Sequence, residues 1–436
     1  MKILFIAMSG VRVQDQELLK EGLTLPGFVE RSQVIATLPS LGLLTLAGCT
    51  PDSFEKEYLD VQEIQNLENF PIDNDLVVIS SFTAQIYEAY QLGDYYMSIG
   101  KTVVMGGLHV TSLPQEALSH CDSVCIGEGE IIWPALLKDF IKGKLKRIYK
   151  ADGKFDFSSH IMPAFELLNP EKYNRLTIQT SRGCPHSCEF CAGSIMLTDK
   201  YKQKPIEHVL AEIDKVIDLW PHPFIEFADD NSFVNKAYWK KLLPEIKKRN
   251  IRWFTEADIA VGDDDHFLDM LYESGCKEVL IGLESPNAKG LNGLELRNNW
   301  KLKKINRYHE NIEKIQQAGI RVNACFIVGL DEHDETIFED IYQFAKETCV
   351  YDIQVTLPTP FPGTRLYTRL KQEGRLLEDN AWEKCTLFDI LFQPKKFSIQ
   401  ELRNSFQDLV KKLYSKEFTD YRRKHFNRLL KSKIAQ

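Results

Sequence analysis

Thr180-Ser181-Arg182-Gly183-Cys184-Pro185-His186-Ser187-Cys188-Glu189-Phe190-Cys191 decides how the chain is read. Cys184, Cys188 and Cys191 stand in a C-x3-C-x2-C spacing, directly after the β-prone apolar run 176–179. A loop leaving a strand thus holds three thiols close enough to share one inorganic group. Structural zinc sites draw four ligands, usually as two separated pairs. No second cysteine pair follows here, and His186 inside the loop is the candidate fourth ligand. Iron–sulfur clusters take cysteine thiolates, and three of them leave one iron open. Spacing alone leaves three readings: an iron–sulfur cluster, zinc, or unliganded thiols.

Working outward, the apolar runs 176–179, 224–227, 252–255, 278–283, 322–328 and 352–357 predict six strands. Helical patterns at 208–219, 236–249, 265–274, 306–318 and 335–348 separate them. Six such units predict a full or partial β/α barrel over 174–370. Barrel chemistry sits at the carboxyl ends of the strands. Those ends carry Ser181 to Cys184, Asp229-Asp230-Asn231, Glu256-Ala257-Asp258, Glu284-Ser285-Pro286, Gly329-Leu330-Asp331 and Pro358-Thr359-Pro360. Polar and special residues thus concentrate at one end of the barrel. Asp229-Asp230 also reads as a helix N-cap.

Toward the N-terminus, the runs 2–7, 76–80, 102–105 and 123–126 are continuously apolar, as in strands buried on both faces. Helical patterns at 41–47, 84–99, 114–120 and 133–141 alternate with them, which predicts a doubly wound parallel sheet over 1–150. Ligands bind outside the carboxyl ends of such strands. Ser9 and Gly10, Ser80 to Thr83, Gly106 to His109, and Gly127-Glu128-Gly129-Glu130 lie there. No G-x-G-x-x-G follows the first strand, which argues against a dinucleotide. Residues 151–173, broken by Met162-Pro163 and Asn169-Pro170, read as a linker. Residues 371–436 read as a small helical extension packed on the barrel through Trp382, Phe388 and Phe392. The segment 291–308 reads as an insertion that either covers the substrate or is solvated.

Three of these pieces, Pro39-Ser40-Leu41-Gly42-Leu43-Leu44, Gly106-Gly107-Leu108-His109-Val110-Thr111 and Gly127-Glu128-Gly129-Glu130, resemble the cobalamin-binding domain of the B12-dependent radical S-adenosylmethionine (SAM) proteins, and in that family's order. C-x3-C-x-Phe-C after the first barrel strand resembles the radical SAM superfamily. The resemblance implies an α/β protein with a flavodoxin-like sheet, a partial (β/α)6 radical SAM barrel and a helical extension. It implies a 4Fe–4S cluster on Cys184, Cys188 and Cys191. SAM would sit on the open iron, near Phe190, Asp229, Asp230, Glu284, Ser285, Phe326 and Val328. In place of that family's usual Gly-Gly-Glu stands Phe227-Ala228-Asp229-Asp230-Asn231, so either aspartate is the candidate for the SAM amino group. Cobalamin would meet Ser9, Gly10, Ser40, Leu41, Gly42, Ser80, Ser81, Phe82, Thr83, Gly106, Gly107, His109, Gly127, Glu128 and Gly129. His109 lacks the glycine three residues on that marks the D-x-H-x-x-G cobalt ligand of B12 mutases, so it is a cobalamin contact or a turn residue. Pro360-Phe361-Pro362-Gly363-Thr364 resembles a signature that closes the barrel beside the cobalamin domain.

The activity implied is methylation of an unactivated carbon through methylcobalamin and a 5′-deoxyadenosyl radical. Cyclisation, carbon–carbon coupling or oxygenation with the same cofactors is the alternative, and a non-catalytic cobalamin sensor is the alternative of another class. The implied partners are a small-molecule or lipid substrate and an electron donor such as flavodoxin or ferredoxin. Composition agrees: 436 residues exceed one ordinary core, and 44% apolar with 27% charged residues suit a globular protein. A net charge of −8 argues against nucleic acid as a generic partner. The N-terminal apolar run is too short for a signal peptide and no stretch reaches membrane-spanning length, so a cytoplasmic protein is expected. Ten cysteines in such a chain are not a disulfide framework.

Overall fold

The apolar runs become two six-stranded, wholly parallel sheets in a computed structural model that describes residues 1–21, 38–153, 155–193 and 201–435. The first sheet holds β1 (Lys2–Met8), β2 (Glu55–Val61), β3 (Leu76–Ser81), β4 (Thr102–Gly106), β5 (Ser123–Ile126) and β6 (Ile148–Lys150), in the order β2-β1-β3-β4-β5-β6. The order reverses at β1 and β3, and at such a switch point the flanking crossovers diverge and open a crevice. β1 and β3 are buried along nearly their whole length, which is why they read as unbroken apolar runs. β2 (EKEYLDV) escapes that reading because it is an edge strand with charged side chains, a common protection of an open edge. β6 has only 3 residues.

The second sheet runs β14-β13-β12-β11-β10-β7, so each strand neighbours the next one of the barrel in sequence. Its members are β7 (Leu176–Ile178), β10 (Phe224–Phe227), β11 (Arg252–Ala257), β12 (Cys276–Glu284), β13 (Arg321–Ile327) and β14 (Asp352–Thr356). Helices Ile206–Leu219, Lys236–Arg249, Asp265–Glu273, Tyr308–Gln317 and Ile337–Thr348 cover the outside. This is the expected partial (β/α)6 barrel. Two short strands, β8 (Ser181–Arg182) and β9 (Lys202–Gln203), pair antiparallel beside its mouth.

Two expectations are corrected. Residues 151–173 are more than a linker: Phe165 and Leu168 share one apolar cluster with Leu44 and the barrel core, so the stretch mortars the two sheets together. The C-terminal part is also more than an addition to the barrel. Helices Ile399–Tyr414 and Lys416–Ile434 do pack there, but Trp382 and Leu391 enter the core of the first sheet's domain. Phe392 packs with Leu366 and Leu370. Among the described residues no helix is long and apolar enough to cross a membrane.

Candidate active site between the two sheets

The cysteine loop is held from several sides. Asp229, 3% exposed, accepts the backbone N–H groups of Thr180 and Ser181 at 2.8 and 2.9 Å and the hydroxyls of Thr180 and Ser232 at 2.5 and 3.0 Å. Both of its oxygens are committed to the start of the loop, so it is a loop anchor and not a free contact for the SAM amino group. Asp230 is exposed and accepts the Gly183 N–H at 2.9 Å. Its other oxygen lies so close to Gly193 that a Cβ there would approach it to 2.6 Å. Of the expected aspartate pair, Asp230 is the one available to a ligand.

The segment 291–308 has exposed residues at 292, 293 and 296–298, and other side chains of it support the cysteine loop and β12. Glu295 bridges to Cys188 and accepts the N–H groups of Ser187, Arg297 and Asn298 at 2.8 to 3.1 Å. Burial alone would raise its carboxyl, but those amides hold it down at about 2. Lys301 from the same segment donates to Glu284 Oε1 at 2.9 Å and to the Gly282 carbonyl at 2.5 Å. Glu284 adopts φ +66 next to a register shift between β12 and β13. A left-handed glutamate is strained, and such strain persists where its surroundings enforce it. Lys301 is what enforces it here, and sequence reading missed it because 17 residues separate the pair. From beyond the barrel, Arg369 grips Glu189 through Nη2 at 2.7 Å and Nε at 3.1 Å.

His186 does not join the thiols. Its ring lies 4.5 Å from that of Trp300 and its Nε2 is 3.7 Å from Asp258. Among the described residues no three His, Cys, Asp or Glu side chains close on a single ion. Three thiols without a described fourth ligand beside them are the donor set that iron–sulfur clusters take. All three cysteines keep some exposure. Burial pushes the Cys184 thiol up to about 11 and that of Cys188 to about 12, so both stay protonated until a metal displaces the proton.

The remaining SAM expectations divide by strand parity. Phe326 is fully buried and meets Phe344 of the covering helix at 5.4 Å, so its ring faces away from the lumen. Side chains alternate along a strand, and the lumen-facing neighbour is Cys325, 3.7 Å from Gln354. Val328, also buried, donates its N–H to Thr356. Ser285 is fully buried, with its hydroxyl 3.2 Å from His333 and 3.3 Å from Asn287. Phe190 packs against Leu366, Leu370 and Phe392. Glu256 is exposed to the open lumen, where the surrounding protein, together with Glu226, Asp230, Asp229 and Glu284, pushes its carboxyl up to about 8.

A cavity of 560 Å³ opens where the first sheet meets the barrel. Its sheet-side wall is the carboxyl ends of β1, β3 and β4, and includes Ser9, Ser40, Leu41, Ser80, Ser81, Phe82, Thr83, Gly107 and the His109 segment. Its barrel-side wall is Thr177, Ala192, Glu226 and Ala228, with Phe361, Pro362 and Leu387 closing one end. The wall is mostly apolar, and Phe82 is 49% exposed into this region. Gly107 has φ +101, and a Cβ on it would meet Ser80 Oγ at 2.9 Å, so the backbone lies bare at the cavity floor. These features fit a large planar cofactor laid on the sheet edge.

Other expected cobalamin contacts fall outside that wall. Gly10 is needed for a close approach to Gln62, and Gly42 faces open space. Gly106, Gly127, Glu128 and Gly129 do not line the cavity. Glu128 is turned instead toward Arg182 and Lys202. His109 does line the cavity, but its ring is buried at 1% exposure, 3.2 Å from Glu116 and 5.4 Å from the Trp382 ring, so it also braces the domain against the C-terminal segment.

Family models match both halves of this arrangement. A B12 binding domain matches residues 32–137 and the radical SAM superfamily matches residues 178–345. The chain belongs to the B12-dependent radical SAM superfamily. A third model, a domain of unknown function (DUF4070), matches residues 364–435 of this radical SAM enzyme. The enzyme is 28% identical over 381 residues to bacteriochlorophyllide d C-12(1)-methyltransferase of Chlorobaculum tepidum, covering 86% of this chain and 82% of that one. It is 25% identical over 364 residues to hopanoid C-2 methylase of Rhodopseudomonas palustris, covering 80% and 67%. Its fold matches that of the radical SAM methyltransferase TsrM from Kitasatospora setae, solved with cobalamin and a [4Fe-4S] cluster, at a TM-score of 0.69 and 13% identity over 100% of both chains. A 4Fe–4S cluster, SAM and cobalamin are the cofactors of this family.

Proposed function

We propose that this enzyme methylates an unactivated carbon of a small, largely apolar molecule bound between the two sheets. The observation that carries the reading is the shared cavity, walled on one side by the ends of β1, β3 and β4 and on the other by Thr177, Ala192, Glu226 and Ala228. When bound, the cluster with SAM supplies a hydrogen-abstracting 5′-deoxyadenosyl radical and the cobalamin supplies the methyl group. Cys184, Cys188 and Cys191 hold the cluster, and Asp230 and the Glu284–Lys301 pair face SAM. Ser40, Leu41, Ser80 to Thr83 and the bare backbone at Gly107 hold the corrin. The apolar wall keeps solvent-borne hydrogen donors such as thiols from a carbon radical, which they would otherwise quench. It also orients a substrate that offers few polar handles.

The relatives support methyl transfer, since the names of both describe methylation, of a bacteriochlorophyllide and of a hopanoid. Each turnover consumes two SAM molecules, one leaving as S-adenosylhomocysteine and one as methionine with 5′-deoxyadenosine. The electrons come from a low-potential donor such as flavodoxin or ferredoxin. The test is to supply SAM carrying a trideuterated methyl group with candidate apolar substrates and to follow the label by mass spectrometry. A product heavier by one CD3 group in place of hydrogen supports the reading. Consumption of substrate with no label in any product overturns it in favour of a ring closure, coupling or oxygenation.

A further inference from the structure

Arg182 lies two residues before Cys184, and its guanidinium reaches into the other domain. Its Nη1 donates to Glu128 Oε1 at 2.8 Å and its Nη2 to Glu130 Oε1 at 2.7 Å. The plane is steadied by Gln179 at 3.1 Å and by the Phe157 ring 5.1 Å beneath it. Lys202, paired with Arg182 across β8 and β9, donates to both Glu128 oxygens at 2.9 and 3.0 Å. Glu128 also accepts the Phe155 N–H at 2.7 Å. Two cations therefore meet two carboxylates, and the side chains of Arg182, Glu128 and Glu130 retain only 12, 4 and 9% of their exposure. Surface ion pairs of two long side chains contribute little, whereas paired charges taken out of water enforce a geometry because either one alone is costly.

The carboxylate end of this contact is itself tied to the cavity wall. Glu128 and Glu130 flank Gly129, where a Cβ would come within 3.1 Å of Leu46. Leu46 belongs to the helix Leu41–Cys49, whose N-cap Ser40 and first residue Leu41 line the cavity. A continuous chain of packed groups thus runs from the cluster cysteines through Arg182 and the Gly-Glu-Gly-Glu turn to the cofactor shelf of the first sheet.

We propose that Arg182, held by Glu128 and Glu130, is a positioning residue that sets the spacing between the cluster loop and the cobalamin shelf. The glycines of the motif serve its tight turn and its approach to the helix, and the glutamates serve the clamp. The proposal rests on the two-cofactor reading above, and its test separates the two. Arg182→Gln and Glu130→Gln variants of the full chain are compared with the parent by two readouts. Without cofactors, amide hydrogen exchange is followed in residues 181–191 and 127–130. Loss of charge-assisted bonds at one end is expected to speed exchange in both segments by on the order of tenfold. After reconstitution with iron, sulfide and cobalamin, the magnetic coupling between reduced cluster and cob(II)alamin is read by electron paramagnetic resonance. A narrow coupling in the parent, broadened or weakened in both variants at unchanged iron and cobalamin content, is the expected result. Parent-like exchange and coupling in both variants overturns the clamp. A parent that retains neither iron nor cobalamin overturns the functional reading instead, while the exchange data still decide the clamp.

Discussion

Asp229 receives two backbone N–H groups and two hydroxyls at the start of the cysteine loop, with Thr180 alone contributing one of each. The first residues of the cluster loop are therefore fixed before any metal arrives. Asp229→Asn keeps the volume but replaces one acceptor oxygen by a donor facing the Thr180 and Ser232 hydroxyls. It should cost about 1–3 kcal/mol in denaturant unfolding and lower the iron retained after reconstitution. Asp230→Asn, at an exposed carboxylate, should leave unfolding within about 0.5 kcal/mol of the parent and weaken SAM binding in equilibrium dialysis.

Lys301 and Glu284 form a buried pair at the mouth of β12. Lys301→Met leaves the carboxylate desolvated and unpaired at a strained backbone position, with an expected loss of about 3–5 kcal/mol by chemical denaturation. Lys301→Met combined with Glu284→Gln should recover a large part of that loss, because the uncompensated charge is gone. A double variant no more stable than the single one would show that Lys301 acts through packing alone.

Glu256 gives the lumen a pH dependence. Its folded carboxyl is pushed up to about 8, above the ordinary range, by the surrounding protein and the other acids of the lumen, although the side chain itself is exposed there. The unfolded chain releases this proton first, so the contribution to stability is present at acid pH and is lost as pH rises toward 8. Glu256→Gln should flatten the fall in stability of the cofactor-free protein between about pH 5 and 8. Melting temperatures measured across that window check it.

Cluster assembly should release protons. Burial holds the Cys184 and Cys188 thiols up at about 11 and 12, so loading iron at neutral pH must displace both protons. Reconstitution in weakly buffered solution should acidify the medium, and iron occupancy should rise with pH from 7 to 9. Cys188→Ala should release fewer protons per protein.

At Gly107 the backbone lies bare at the cavity floor. Gly107→Ala forces a positive φ on a residue with a Cβ and presses that Cβ against Ser80 Oγ. The strain should cost about 1–3 kcal/mol and weaken uptake of hydroxocobalamin, followed by its visible absorbance.

Parallel strands buried on both faces write themselves as apolar runs, so β1, β3, β4 and β5 were legible, and the barrel strands, several of which bury only one face, were legible through their alternation with helices. The polar edge strand β2 carries no such signal. The cysteine loop was legible because thiol spacing is a local property. What was not legible depends on tertiary pairing. Whether Asp229 or Asp230 faces the ligand depends on which carboxylate the Thr180 and Ser181 amides claim. Phe326 and Cys325 exchange roles because a motif fixes a strand but not its parity. Lys301 and Trp382 reach Glu284 and Glu116 from distant segments. The glutamates of the Gly-Glu-Gly-Glu turn looked like part of a ligand shelf because their partner, Arg182, lies 52 residues beyond Glu130.

Held beside a cobalamin shelf, the cysteine loop should cleave SAM reductively. Anaerobically reconstituted protein incubated with SAM and dithionite tests it, with 5′-deoxyadenosine and S-adenosylhomocysteine quantified together. The parent should form 5′-deoxyadenosine well above a Cys188→Ala control, and S-adenosylhomocysteine only when cobalamin is present. A parent loaded with cluster that forms no more 5′-deoxyadenosine than the control would rule out reductive SAM cleavage by this loop.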